Sequence, residues 1–250
     1  MLLSHGCYDP PMPCLPAFLG RCVLVSLLAA PTFPTRDVRA QTKVDLELLL
    51  AVDVSASVDE GEYRLQAQGL AAAFRDPSLR EAIRRAAPNG VAVAVIQWAG
   101  GRAPVLAIDW SHLSGERSLD TLAARLEGME RLFVGSDTWL GQAVEFGVRQ
   151  LLGNNFAARR QVIDLSGDGG SEAIGLTRRA RDTAVAAGVT INGLAIESED
   201  PGLFRFFQEN LIGGPGAFAV RAGGYNDFAD VMLRKLLREI GERPVAEVVR

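Results

Sequence analysis

Leu46-Glu47-Leu48-Leu49-Leu50-Ala51-Val52 runs without a break into Asp53-Val54-Ser55-Ala56-Ser57, and the reading of this stretch decides the fold. The first part is an apolar run of strand length and reads as a buried strand. The second part places a carboxylate and two hydroxyls at alternate positions just where that strand stops. Glu60 to Phe74 then follows a helical period, with Asp59 and Glu62 in the spacing of a capping box, and Pro77 marks its end. A buried strand, a polar turn and an amphipathic helix together make the first unit of an alternating α/β chain.

The alternation continues outward from there. Val91 to Trp98 and Val105 to Ile108 read as two strands joined at Gly100-Gly101, a connection short enough only for an antiparallel hairpin. Helical spacing recurs at Leu119, Leu122, Ala123 and Leu126, and again at Leu140, Ala143, Val144, Gly147, Val148 and Leu151. Val162 to Leu165 is a short strand, Glu172 to Ala187 a helix closed by Gly188, and Val189 to Ile196 another strand. Asp200-Pro201 starts a helix, Ala217 to Val220 forms a last strand, and Asn226 caps a final helix that Gly241 ends. The expected fold is α/β: a doubly wound, mostly parallel sheet with one antiparallel strand and helices on both faces. In such sheets a ligand site lies at the carboxyl ends of the strands, where the strand order reverses.

Composition narrows the function. The 250 residues carry 26 Lys and Arg against 30 Asp and Glu, and no basic block of the kind that neutralises phosphates, so nucleic acid is not expected as a partner. Arg21 precedes the apolar run Cys22 to Ala30, which is too short to span a bilayer but has the length of a signal-peptide core. Val38-Arg39-Ala40 offers small residues at the spacing of a cleavage site. Residues 1–40 are therefore read as a signal peptide, with the mature start at Gln41 or, alternatively, near Ala30, and with Met12 as an alternative first residue. The expected location is periplasmic or secreted, with no membrane span once the leader is removed. Residues 41–243 form the one domain, and 244–250 a C-terminal tail. Cys7, Cys14 and Cys22 all fall in the leader, so the mature chain has no disulfide, no thiolate metal site and no cysteine nucleophile. It keeps 23 basic and 28 acidic side chains.

The chemistry lies in three loops. In an extended strand end, Asp53, Ser55 and Ser57 project to one side, so that one carboxylate and two hydroxyl oxygens converge on one point. Hard cations take that donor set. Mg²⁺ binds oxygen in near-octahedral geometry and usually keeps waters, so a site with few direct charges stays electrophilic toward an incoming anion. Taken alone, the same residues also serve as ordinary helix caps. Two further stretches favour the cation: Gly135 to Ala143 opens a helix with polar oxygens on its preceding loop, and Leu165-Ser166-Gly167-Asp168-Gly169-Gly170 sets an Asp in a Gly-rich turn after a strand.

These pieces, Asp-x-Ser-x-Ser at Asp53 to Ser57, Thr-x-x-Gly-x-Ala at Thr138 to Ala143, and Asp168-Gly169, resemble the metal ion-dependent adhesion site of von Willebrand factor A domains over about residues 44 to 240. More narrowly, Asp59-Glu60-Gly61-Glu62-Tyr63 and Arg75-Asp76-Pro77 are similar to an uncharacterised bacterial branch of that superfamily. The resemblance implies that Ser55 and Ser57 bind the metal directly. Thr138 binds it directly in one state and through water in another, and Asp53 and Asp168 act mainly through waters. It implies Mg²⁺, with Mn²⁺ or Ca²⁺ as alternatives, and a coordination position left for a Glu or Asp of a partner protein. The third loop departs from the family, reading Ser-Gly-Asp-Gly where many relatives have Thr-Asp-Gly, and Ser136 competes with Thr138 for the role in the second loop.

Enzyme signatures are incomplete. A haloacid dehalogenase-type phosphatase needs a second Asp two residues after the first, where this chain has Ser55. There is no Gly-x-Ser-x-Gly, no Gly-x-x-x-x-Gly-Lys and no full dinucleotide fingerprint. The one histidine after the leader, His112, lies in a Trp-Ser-His-Leu stretch read as a surface loop. Trp98, Phe74 and Phe146 read as core, and Trp139 either lines the rim of the metal face or packs inward. Glu197, Glu199 and Asp200 read as a solvated loop on the same edge. The expected function is an exported, non-enzymatic, divalent-metal-dependent protein-binding module. The alternative is a metal-assisted hydrolase of a phosphate or ester, for which no general base is visible.

Overall fold

The computed structural model describes residues 41–170, 173–198 and 200–241. The leader assigned to residues 1–40, the tail at 244–250, Glu172 and Glu199 lie outside them. Six strands, β1 (Thr42–Asp53), β2 (Val91–Trp98), β3 (Val105–Leu113), β4 (Phe156–Gly167), β5 (Val189–Ile196) and β6 (Ala219–Ala222), form one sheet in the order β3-β2-β1-β4-β5-β6. All neighbours run parallel except β3, which pairs antiparallel with β2.

β1 takes the centre because it is apolar on both faces. Side chains alternate along a strand, so Leu46, Leu48, Leu50 and Val52 enter one apolar cluster while Leu49 and Ala51 enter the other. The first cluster is covered by α1 (Glu60–Arg75), α2 (Pro77–Ala86), α3 (Glu116–Glu127) and, after the second set of helices in the chain, by α7 (Phe228–Gly241). That second set, α4 (Leu140–Leu152), α5 (Ile174–Ala186) and α6 (Leu203–Phe206), covers the opposite face. The chain leaves β1 for β2 on one side and later returns to β4 on the other. The carboxyl ends of β1 and β4 therefore lie side by side at the reversal of strand order, with Val52 opposite Ser166.

Several boundaries differ from the sequence reading. Pro77 does not only end α1: it is the first residue of α2, capped by Asp76, whose carboxylate accepts from the Ser78 amide at 2.8 Å. His112 is not in a loop. It belongs to β3, opposite Ala92, with its Nε2 3.0 Å from the Asn89 carbonyl oxygen. β4 starts at Phe156, six residues before the apolar stretch read as its whole length. The helix begun at Asp200-Pro201 starts at Leu203 and passes into a π-helical turn, Phe207–Leu211. The capping box of α1 is present as read, with Asp59 accepting from the Glu62 amide and Glu62 from the Asp59 amide, both at 2.8 Å.

One buried cluster is charged. Lys235 of α7 reaches Asp164 of β4 at 2.6 Å and Glu239 one turn along its own helix at 2.5 Å, and all three are buried. Asn192 of β5 donates to Glu239 at 3.1 Å. One ammonium faces two carboxylates, so burial, reinforced by the charge of Asp164, pushes the Glu239 carboxyl well above its usual range. A carboxyl raised in the folded state contributes its full stability below the unfolded value and loses it as pH rises through the folded one. Wild-type protein is therefore expected to lose stability between weakly acidic and alkaline pH from this group. Glu239→Gln keeps the acceptor oxygen and should remove that part of the pH dependence, as read by urea unfolding at pH 6 and 9. Parallel pH profiles of the two proteins would refute the assignment.

Candidate metal centre

Asp53 is the last residue of β1 and is wholly buried. Its Oδ1 accepts from the Ser55 amide at 2.7 Å, which turns the chain so that Ser55 Oγ comes within 3.1 Å of Ser57 Oγ. Ser57 in turn donates to Asp168 Oδ1 at 2.8 Å, across 111 residues of sequence. The first and third loops are thus joined by a hydroxyl-to-carboxylate hydrogen bond. The second loop enters as an extra strand segment: Gly135 forms a parallel bridge with Ser55 and its amide donates to the Val54 carbonyl at 3.3 Å.

Two glycines allow this approach. A Cβ on Gly167 would sit 2.9 Å from Asp53 Oδ2 and 3.1 Å from the Trp98 ring, and a Cβ on Gly169 would sit 2.8 Å from Thr138 Oγ1. The Ser-Gly-Asp-Gly sequence of the third loop therefore has a steric reason: glycine on either side of Asp168 lets Asp53 and Thr138 close in from both directions. The contact at Gly169 also separates Thr138 from Ser136. Thr138 lies against the third loop, whereas Ser136 leans on the hairpin at Gly101 and donates to Asp137. Asp53, Ser55, Ser57 and Asp168 are brought into one hydrogen-bonded group, and Thr138 abuts it.

The electrostatics suit a cation. Burial is the main cause that pushes the Asp53 carboxyl up to about 7. The nearby Asp168 charge adds to this, and hydrogen bonding from Ser55 opposes it. Asp53 Oδ2 is buried and has no hydrogen-bond partner. Among the described residues the partners of these two carboxylates are hydroxyl and amide groups, with no ammonium or guanidinium. Nor does any group of three or more His, Cys, Asp and Glu among the described residues stand ready for a metal. The donor set is accordingly neutral hydroxyls plus two carboxylates, all oxygen, which fits a hard cation that keeps part of its water and fits a soft metal badly.

The sequence reading missed the residues that hold these loops. Gln66 of α1 donates to the Asp53 carbonyl at 3.2 Å. Arg131 reaches the Val54 and Ser55 carbonyls at 3.1 and 2.9 Å. Gln97 of β2 accepts from the Leu132 amide at 2.8 Å and donates to the Glu130 carbonyl at 2.7 Å. Tyr225, in a 3₁₀ turn before α7, donates to Asp168 Oδ2 at 3.0 Å. Gln66 and Gln97 were detectable as polar residues at buried positions of an amphipathic helix and an apolar strand. Arg131 and Tyr225 carry no such signal. Trp139 is exposed beside Thr138 rather than packed inward. Trp98 and Phe74 are core, with Phe146 half-buried at the margin. Glu197 is no solvated loop residue: it accepts from the Phe204 amide at 3.0 Å and pairs with Arg221. His112 lies at the other end of β2 from Trp98, which is opposite Asp53, about 20 Å away at strand rise.

The fold is similar to several solved proteins. The PilB minor pilin from Streptococcus sanguinis matches over 83% of this chain and 63% of that one, at 13% identity and a TM-score of 0.59. A von Willebrand factor type A protein from Catenulispora acidiphila matches over 80% and 43%, at 15% identity and TM-score 0.57. Proximal thread matrix protein 1 from the mussel byssus matches over 79% and 47%, at 14% identity and TM-score 0.57. This chain spans about half the length of the byssus and Catenulispora proteins. No curated protein matches the sequence. At these identities the likeness is one of fold, and it identifies the six-stranded architecture as von Willebrand factor A-like. Residues 43–244, most of the chain, match the family described as "Protein of unknown function (DUF1194)", and the chain belongs to that family.

Proposed function

We propose that this protein is an exported, divalent-cation-dependent binding module, not an enzyme, whose cation takes a Glu or Asp carboxylate from a partner protein. Ser55 and Ser57 hold the cation through their hydroxyls, Thr138 contributes from the second loop, and Asp53 and Asp168 act mainly through water. Mg²⁺ is the preferred ion, with Mn²⁺ or Ca²⁺ as alternatives. The observation that carries this reading is the join of Ser55, Ser57 and Asp168 next to a buried Asp53 oxygen that has no donor. A bound cation would supply a Lewis-acidic position for an anionic oxygen. The chain's own residues keep two hydroxyl oxygens converged and add only two formal negative charges, so a third carboxylate is still attracted. Residues 1–40 are the export leader, and no helix among the described residues is long and apolar enough to cross a membrane.

Metal removal tests it. Partners captured from the cell envelope on immobilised protein in Mg²⁺ are expected to elute with a chelator and to be absent from a Ser55→Ala column, while circular dichroism of that variant matches wild type. Capture that persists in chelator would end the cation-bridge reading. Turnover of phosphoester substrates that is lost in Asp168→Ala would replace it with the hydrolase.

A further inference from the structure

Both oxygens of Asp168 are already committed within the chain. Oδ1 accepts from Ser57 at 2.8 Å and Oδ2 accepts from Tyr225 at 3.0 Å, and Asp168 and Tyr225 are both buried. Tyr225 is held firmly. Its ring belongs to the apolar cluster with Val54, Val58 and Phe228, and its 3₁₀ turn runs straight into α7, which Lys235 fixes to β4. Cations differ in what they ask of a carboxylate. Ca²⁺ takes six to eight oxygens in flexible geometry and readily engages both oxygens of one carboxylate; Mg²⁺ is smaller, demands a near-octahedral set and retains its water. A carboxylate with a donor on each oxygen suits the second ion, because the two hydrogen bonds fix its orientation and use one lone pair on each oxygen, which leaves it to act through Ser57 and through water and disfavours turning both oxygens to one centre.

Resting on the cation site proposed above, we infer that Tyr225 determines ion selectivity: by holding Asp168 Oδ2 it disfavours the two-oxygen mode and sets the site for Mg²⁺ over Ca²⁺. Tyr225 is a positioning residue, since it acts through Asp168. Groups of this kind commonly alter metal affinity by about 10–100-fold when removed. The phenolic hydroxyl is one atom on a ring that phenylalanine reproduces, so Tyr225→Phe preserves the packing against Val58 and Phe228.

Calorimetric titration of the full chain with MgCl₂ and with CaCl₂, for wild type and Tyr225→Phe, reads the ratio of the two dissociation constants. The expected result is a wild-type preference for Mg²⁺ and a shift of that ratio toward Ca²⁺ by about tenfold or more in the variant. Cation binding with an unchanged ratio overturns the role of Tyr225 and leaves the cation site standing. Wild-type protein that takes up neither ion overturns both. Matching melting curves of the two proteins exclude misfolding as the cause of a shift.

Discussion

Lys235→Met is expected to destabilise the protein by about 3–5 kcal/mol, a large part of the about 5–15 kcal/mol that holds a domain together. The ammonium is buried between Asp164 and Glu239, and Asp164 Oδ2 has no hydrogen-bond donor of its own. Removing the cation leaves the Asp164 carboxylate out of water with no counter-charge, beside a Glu239 carboxyl that burial already holds well above its usual range. The loss is thus dominated by what remains behind and not by the strength of the ion pair that is lost. A double variant separates the two: adding Glu239→Gln to Lys235→Met removes the ionisable neighbour of Asp164 and should recover part of the stability, so the two changes are not additive. Urea unfolding at pH 7 measures both. A Lys235→Met midpoint equal to wild type would show that the buried triad carries no such weight. The consequence reaches the candidate metal centre as well, since α7 begins directly after the Tyr225–Asp227 turn.

That triad was present in the sequence as a pattern. Phe228, Val231, Met232, Lys235, Leu236, Glu239 and Ile240 are the buried residues of α7 and recur at three- and four-residue steps. Lys235 and Glu239 therefore stand on the apolar stripe, four residues apart, where a charged pair signals a buried ion pair. The strands buried on both faces were equally legible: β2 and β5 have the boundaries their apolar runs indicate, and the end of β1 falls at Asp53. What escaped notice has a physical reason. Phe156 to Gln161 and Asp109 to Leu113 mix polar and apolar residues because those parts of β4 and β3 are only partly covered, so they lack the unbroken run that marks a buried strand. α2 was hidden behind Pro77, although Asp76-Pro77 is the same start signal that was recognised at Asp200-Pro201. Of the candidate site, Asp53, Ser55, Ser57, Thr138 and Asp168 were legible because each sits at or just beyond the end of a strand, or just before a helix. Tyr225 was not, because it reaches Asp168 through tertiary packing from 57 residues away, and no local spacing records such a contact.

Asp53→Asn is expected to weaken Mg²⁺ binding by about 10–100-fold, while leaving the fold intact or firmer. The substitution is chosen because it divides the two things Asp53 does. Its Oδ1 shapes the first loop by accepting the Ser55 amide, and an asparagine carbonyl oxygen accepts the same bond. Its charge is the other contribution, and only that is lost. In the absence of a cation the charge is a burden, since the carboxylate is fully buried and Oδ2 has no donor. A purely structural aspartate in that position would leave the melting temperature lower after substitution and the response to magnesium unchanged. A residue placed there for a cation gives the opposite pair of results: a melting temperature at least as high in chelator, and a smaller rise when millimolar MgCl₂ is added than the one by which binding stabilises wild-type protein. Thermal unfolding of both proteins with chelator and with MgCl₂ supplies all four values. An Asp53→Asn protein that magnesium stabilises as much as wild type would mean that the negative charge at the end of β1 does not serve a metal, and the loops that meet there would need another explanation.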